Sequence, residues 1–213
     1  MMVSSVSVEI GGKMKINKLT NHKWLNLFNA TKVMEDGSPL NWIYASRKKE
    51  QTLEAKEKAD AVIIIPIVKD DVRIEMSSKR IRRYSLITIS EYRIPIMDYE
   101  IGFPAGLIDG DEDAIDTAKR ELREETGLDI TRIIHVSPVV YSSAGMTDES
   151  IIYVYCEAEG TISNDKNEKS EDIRIIKMND EDLSVLRTLG KIGAKAYPIL
   201  LTAKKFGIES LLE

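Results

Sequence analysis

The segment 106–128, GLIDGDEDAIDTAKRELREETGL, is the stretch around which we expect the fold to be organised. Asp111 or Asp113 can cap the start of a helix, and alanine, leucine and the aliphatic stem of Arg120 favour its interior. Gly127 is suited to end the helix, because glycine adopts the left-handed conformation that follows a last helical turn. The segment therefore predicts one helix with a defined start and stop.

Three glutamates are predicted to share one face of this helix. Glu121 and Glu125 are four residues apart, and Glu124 comes three residues after Glu121. Carboxylates held this close repel one another unless a cation lies between them. Their hard oxygen atoms, with no paired cysteine or histidine, favour Mg²⁺, or Mn²⁺ as a substitute. The alternative is a solvated helix face on which the glutamates pair with neighbouring lysines and arginines.

The spacing of the polar residues is more specific than helical periodicity. In order, the segment places Gly106, Glu112, Arg120-Glu121-Leu122, Glu124-Glu125 and Gly127-Leu128, with five, seven, one and one intervening residues. The probability of this pattern in a chain of this length is on the order of 10⁻⁷ from average residue frequencies. It resembles the complete Nudix box, the motif of the Nudix hydrolase family. The resemblance implies an α+β fold, an α/β/α sandwich with a mixed sheet, and hydrolysis of a nucleoside diphosphate linked to another group.

The resemblance also implies a metal-ligand set and a base. Glu121 and Glu125, then Glu124, would bind the metal together with the backbone carbonyl of Ala105, and we expect Glu125 to be accessible to solvent. The metal would neutralise the diphosphate while a free carboxylate takes a proton from the attacking water. The SEDIRI segment offers Glu171 as that base, with the neighbouring Glu168 as a second candidate.

Four other residues of the box are interpreted as structural. Gly106 and Gly127 are positions at which the backbone requires glycine. Glu112, eight residues before Arg120, is expected to pair with it and to orient the preceding loop against the helix.

The N-terminal part is predicted to form a β-hairpin extension. Apolar groups in residues 23–47 lie on either side of an Asp36-Gly37 turn, as in two antiparallel strands. We assign residues 1–58 to this extension and residues 59–213 to the catalytic domain. KWLNLFNATKVMEDGSPLNWIYASR, with DAVIIIPIV, SEYRIP, FPAGLIDGDED and YSSAGMTDES, resembles the ADP-ribose or ADP-sugar pyrophosphatase branch of the family. In that branch the hairpin crosses to a second subunit, which implies a homodimer.

The same resemblance implies substrate contacts. Trp24 and Trp42 would stack on the adenine, Arg93 would meet phosphate, Arg47 would meet the nucleotide end, and Glu149 would make a polar contact. Stacking of this kind contributes about 1 to 3 kcal/mol per base. The alternatives are tryptophans packed in the core and arginines on the surface.

Two departures from the branch leave the substrate open. Ala144 stands where a proline is usual, and Gly102 stands where a glutamate is common, four residues before the box. UDP-sugars, dinucleoside polyphosphates and coenzyme A therefore remain alternative substrates. A non-catalytic nucleotide sensor is a further alternative, disfavoured because every box carboxylate is retained.

Strand patterns surround the predicted helix. Apolar runs predict strands at 61–68, with Pro66 at an edge or bulge, and at 84–95, 133–140, 151–157 and 173–178, with a basic turn at 79–83 and helices within 180–213. Strands on both sides of one helix indicate an α+β sandwich.

Composition restricts the partners and the compartment. The chain has 213 residues and a net charge of −5, which argues against a nucleic-acid partner and for a small-molecule substrate. It has no run of 18 apolar residues, which excludes a membrane helix. The single Cys156 is predicted to be a core residue in a reducing compartment, so we expect a cytoplasmic protein. Neither His22 nor His135 is expected to be catalytic.

Overall fold

The computed structural model describes residues 7–10, 14–73, 80–165 and 172–213. Two compact units are present, the first comprising residues 1–60 and 139–151 and the second residues 61–138 and 152–213. The strands are β1 (Ser7–Ile10), β2 (Met14–Lys18), β3 (Asn26–Val33), β4 (Pro39–Ser46), β5 (Ala61–Arg73), β6 (Arg80–Arg93), β7 (Asp98–Gly102), β8 (Ala105–Leu107), β9 (Leu128–Val136), β10 (Val140–Tyr141), β11 (Ser150–Gly160), β12 (Ile173–Met178) and β13 (Lys191–Ile192). The helices are α1 (Leu53–Glu57), α2 (Ala114–Thr126), α3 (Asp180–Ser184) and α4 (Tyr197–Phe206).

The first unit is built on an antiparallel sheet with the strand order β1-β2-β3-β4. The predicted hairpin is present as β3 and β4, joined by a turn in which Gly37 has a φ of 81°. The N-terminal sheet is larger than the predicted hairpin, because β1 and β2 add two strands to it. Ile16 of β2 is buried with Phe28 and Tyr44, whose rings stack with centres 5.7 Å apart. These residues give the extension a small apolar core of its own.

The second unit contains the mixed sheet that the sequence predicts. Strands follow the order β11-β5-β6-β7-β13, with β8 beside β5, β12 beside β6 and β9 beside β11. Strand β6 is antiparallel to β5, β7 and β12, whereas β13 is parallel to β7. Helix α2 packs on this sheet through Ala118 and Leu122, which are fully buried with Val62, Ile64 and Ile87.

Helix α2 begins and ends as its sequence predicts. Of the two candidate caps, Asp113 is the N-cap, and its Oδ1 accepts hydrogen bonds from the backbone N–H groups of Ile115 and Asp116 at 2.8 and 2.9 Å. Gly127 follows the last turn with a φ of 74°. Local capping chemistry therefore determines both helix ends.

Strand β5 passes through Pro66 without ending. Ile63 is the last residue that pairs with β8, and Ile67 is the first that pairs with β6. The proline therefore lies where the strand changes partner, and its missing N–H interrupts neither ladder.

Several strand boundaries differ from the prediction, and two strands, β6 and β9, begin four and five residues earlier than predicted. Residues 80–83, predicted as part of a basic turn, belong to β6, where Arg83 pairs with Asp70 of β5; Lys79 lies outside the described residues. Strand β9 begins at Leu128, directly after the helix, because its pairing with β11 extends to that residue. Long-range pairing, which a local pattern does not contain, determined both boundaries.

The C-terminal region contains the predicted helical turns in α3 and α4, separated by β13. None of the described helices has the length and apolar character needed to cross a membrane.

Candidate functional site

Two of the box carboxylates converge on the backbone of β8. A Cβ atom built on Gly106 would lie 1.9 Å from both Cδ and Oε1 of Glu121, so the carboxylate occupies the space that a side chain would fill. Oε2 of Glu125 accepts a hydrogen bond from the backbone N–H of Ala105 at 3.1 Å. Helix and strand therefore bring two acidic groups to adjacent residues, 105 and 106.

Glu125 is buried, with 4% of its surface exposed, so the expectation of a solvent-accessible side chain is wrong. The reason is its position on α2, three residues after the core residue Leu122 and on the face that packs against the sheet. Glu124, one residue earlier, does not lie on this face, and 47% of its side chain is exposed. The burial makes Glu125 the most constrained of the three glutamates.

Arg120 connects the acidic residues of the box. Its Nη2 lies 3.0 Å from Oε2 of Glu112, and its Nη1 lies 2.7 Å from Oε1 of Glu121 and 3.3 Å from Oε2 of Glu124. Hydrogen bonds donated by Arg120, and then by Thr117, hold the pKa of Glu112 below its ordinary value of 4.5. The structure thus places Glu112 against Arg120, and the structural role assigned to it stays a prediction.

The donor set fits a hard divalent cation. Glu121 and Glu124 already share one cationic group, the guanidinium of Arg120, and Glu121 and Glu125 meet at residues 105 and 106. The candidate metal ligands are the carboxylate oxygens of these glutamates and the backbone carbonyl oxygen of Ala105. Oxygen atoms of this kind are the ligands that Mg²⁺ and Mn²⁺ prefer. In the described ranges, no three acidic, histidine or cysteine side chains surround a common point. A metal held by all three glutamates would therefore require their side chains to turn toward a common point.

Gly127 meets two requirements at the end of α2. Its φ of 74° favours glycine, and an added Cβ would lie 2.7 Å from the carbonyl oxygen of Thr161. A hydrogen bond also joins the end of α2 to this neighbouring segment: the N–H of Ser163 donates to the carbonyl of Thr126 at 2.9 Å.

The two candidates for the catalytic base, Glu171 and Glu168, lie outside the described residues.

Both predicted stacking tryptophans are on the surface. Trp42, in β4, is 51% exposed, and its Nε1 donates to the carbonyl of Gly145 at 3.1 Å. Trp24 precedes β3, is 62% exposed, and has the Nζ of Lys23 4.1 Å from its ring centre. Neither tryptophan is packed in the core, so that alternative is wrong and both rings are accessible to a ligand.

The predicted substrate-binding arginines already have acidic partners. Arg47 lies 3.7 Å from Glu149, so these two candidate residues meet in the first unit. Arg93, in the second unit, lies 2.7 Å from Glu91 and 3.5 Å from Glu100, with 47% of its side chain exposed. A phosphate bound by Arg93 would have to share it with these carboxylates.

A cavity of about 340 Å³ in the first unit was not predicted from the sequence. Trp42, Tyr44 and Ala144 form part of its wall, together with Lys56 and Asp148. The last two residues are 92 positions apart and form an ion pair that no local motif indicates. The departure at Ala144 therefore lies in the wall of this cavity. By contrast, a Cβ on Gly102 would meet no atom within 4 Å.

Cys156 is fully buried, which confirms its assignment to the core. Burial raises the pKa of its thiol to about 12. The side chain is therefore neutral at physiological pH and unsuited to act as a nucleophile.

Comparisons with known proteins agree with the fold and the motif. The profile of the NUDIX domain matches residues 81–198, more than half of the chain. The ADP-ribose pyrophosphatase of Saccharomyces cerevisiae is 28% identical over 144 residues, which cover 68% of this chain and 57% of that protein. The ADP-sugar pyrophosphatase of Mus musculus is 25% identical over 184 residues, 84% of this chain and 77% of that protein.

A solved structure shows the same fold. The crystal structure of an ADP compounds hydrolase superposes with a TM-score of 0.62 at 15% identity, covering 100% of this chain and 99% of the other. The chain spans 60% of the length of a Caenorhabditis elegans relative and, as above, 57% of the yeast protein. At this identity the structural match is evidence for the architecture alone.

Proposed function

The chain belongs to the Nudix family, and from this we propose that it is a metal-dependent hydrolase of ADP-ribose or a related ADP-sugar. It would cleave the diphosphate linkage to give AMP and a sugar phosphate. The observation that carries the proposal is the convergence of Glu121 and Glu125 on residues 105 and 106. The names of the yeast and mouse relatives support the choice of an ADP-linked substrate.

A divalent metal, Mg²⁺ or Mn²⁺ in its place, would neutralise the diphosphate and polarise its phosphorus–oxygen bonds. Glu121, Glu124, Glu125 and the carbonyl of Ala105 would hold it. Burial and the Ala105 N–H keep Glu125 in one orientation, while Arg120 restrains Glu121. We assign to Glu171, or to Glu168 in second place, the removal of a proton from the water that attacks phosphorus.

The N-terminal extension, residues 1–58, is proposed to supply the adenine contacts and to form a homodimer, with residues 59–213 as the catalytic domain. Trp24 and Trp42 would stack on the base, which their exposure permits. Arg47, Arg93 and Glu149 would contact the remainder of the nucleotide. A cytoplasmic location is part of the same proposal.

A second candidate is a Nudix hydrolase for another nucleotide, such as a UDP-sugar, a dinucleoside polyphosphate or coenzyme A. The observation that favours it is the pair of departures: Ala144 lines a cavity in the first unit, and Gly102 contributes no side chain. A non-catalytic sensor has less support, because the three glutamates of α2 remain in place.

A substrate panel tests the proposal. The purified chain with Mg²⁺ is incubated with ADP-ribose, ADP-glucose, UDP-glucose, NADH, diadenosine polyphosphates and coenzyme A, and products are separated by chromatography. We expect ADP-ribose to yield AMP and ribose 5-phosphate, and a chelator to stop the reaction. Cleavage of UDP-glucose alone would refute the adenine contacts, and no cleavage of any compound would refute the enzyme.

A further inference from the structure

Lys56 and Asp148 form a largely buried ion pair in the first unit. Nζ of Lys56 contacts Oδ2 of Asp148, and 21% and 10% of the two side chains are exposed. Oγ of Ser46 donates to the same Oδ2 at 2.9 Å. The other oxygen, Oδ1, is buried and accepts no hydrogen bond within the described part of the chain. Lys56 therefore compensates the charge of a carboxylate held away from water.

A second set of hydrogen bonds fixes the position of Lys56. Its Nζ donates to Oε1 of Gln51 at 2.6 Å, and the same oxygen accepts from the hydroxyl of Tyr44 at 2.6 Å. Gln51 is 3% exposed, and its Nε2 donates to Oγ of Ser46 at 3.1 Å. Lys56 is thereby tied to residues of β4 and of the segment that follows it, so it provides a rigid anchor for Asp148.

Asp148 ends a segment that lies along β4. The N–H of Ala45 donates to the carbonyl of Met146 at 2.9 Å, and the N–H of Asp148 donates to the carbonyl of Ala45 at 3.4 Å. In the same segment, Gly145 accepts the indole N–H of Trp42. The ion pair and the indole contact therefore hold one short stretch of chain, residues 145–148, at its two ends.

We propose that Lys56 is a positioning residue for Trp42. Through Asp148 it holds residues 145–148 on β4, and these residues orient the indole at the wall of the cavity. The substrate role of this arrangement rests on the proposed function, in which Trp42 stacks on adenine. Because the box glutamates are carried by α2 and not by this segment, Lys56 acts on substrate affinity and not on the chemical step.

Fluorescence tests the positioning without any substrate. The chain has two tryptophans, so Trp24→Phe leaves Trp42 as the single tryptophan, whose emission is excited selectively at wavelengths that tyrosine does not absorb. In that background we expect Lys56→Met to increase the quenching of Trp42 by acrylamide and to shift its emission to longer wavelength. Lys56→Arg, which keeps the charge, should stay close to the parent. Lys49→Met removes the same charge from an exposed position of the same unit and should change nothing.

Kinetics with Trp24 intact test the substrate role. Lys56→Met should raise KM for ADP-ribose about 10-fold, the effect of losing about one hydrogen bond, and leave kcat unchanged. Lys56→Arg should restore most of the affinity, and Lys49→Met should match the wild type. If Lys56→Met does not fold, Asp148→Asn removes the charge at the other end of the pair with little change in volume.

The two arms separate this proposal from the proposed function. If Lys56→Met and Lys49→Met show equal quenching and equal KM, the positioning role is refuted. A fall in kcat with unchanged KM would also refute it, because the chemical step would then depend on Lys56. If the wild type cleaves no ADP compound, the proposed function fails, and the quenching comparison alone decides whether Lys56 positions Trp42.

Discussion

Replacing Gly106 by alanine should disable the site while leaving the fold intact. The new Cβ would lie 1.9 Å from the carboxylate of Glu121. An ordinary carbon contact is about 3.5 Å, so the carboxylate has to move by about 1.6 Å. A misplacement of about 1 Å at a reacting centre can cost about 100-fold in rate, or about 2.7 kcal/mol. We therefore expect kcat/KM for ADP-ribose to fall by about 100-fold or more.

The fold should tolerate this change for two reasons. Gly106 is not among the glycines with positive φ, so alanine fits its backbone conformation. The atoms that must move belong to the end of a flexible side chain. The melting temperature should therefore stay the same or rise slightly, because alanine reduces the entropy of the unfolded chain.

The assay combines steady-state kinetics, Mn²⁺ affinity measured by the electron paramagnetic resonance of the free ion, and thermal unfolding. Gly102→Ala is the matched control, since its Cβ would meet no atom within 4 Å and its φ is not positive. The control should behave as the wild type. Wild-type kcat/KM and Mn²⁺ affinity in Gly106→Ala would show that Glu121 is not a ligand at this position.

Three further predictions concern single side chains. Glu125→Gln should lower kcat at least about 100-fold without loss of fold, because the amide oxygen can still accept from Ala105 while a metal charge is removed; wild-type turnover would exclude Glu125 as a ligand. Because Arg120 lowers the pKa of Glu112 in the folded protein, the ionised Glu112 stabilises the fold above pH 4.5. This stabilisation is lost as the pH falls through the pKa that Glu112 has in the folded state. The difference in melting temperature between wild type and Glu112→Gln should therefore shrink in acid; a difference independent of pH would refute the Arg120 pairing. Cys156 should resist alkylation in the native protein and react in denaturant, and rapid native labelling would show that it is not buried.

Helix α2 shows how much of this protein local sequence predicts. Asp113 and Gly127 determine its ends through contacts within a few residues, and periodicity places the glutamates on neighbouring positions. The β3–β4 hairpin was predictable for the same reason, because its turn joins adjacent strands. Helix caps, helical periodicity and tight turns depend on residues that are close together in the chain, so a single sequence is enough to detect them.

Burial was not predictable in this way. The spacing of Glu125 suits a metal ligand equally well whether the side chain faces water or the sheet, and only the packing of α2 on β5 and β6 decides between them. The positions of the two tryptophans were also ambiguous, because tryptophan occurs both in protein cores and at exposed binding sites. The folded structure resolves this ambiguity, because it leaves 62% of Trp24 and 51% of Trp42 exposed.

The sequence by itself predicted the family, the helix that carries the acidic residues, and a set of oxygen ligands of the kind that a hard divalent cation prefers. These depend on residue type and spacing, which are present before the chain folds. Only the tertiary structure decided that Glu125 is buried against Ala105 and that Lys56 meets Asp148. Charge compensation and desolvation depend on groups distant in sequence, and the folded chain alone brings those groups within reach of one another.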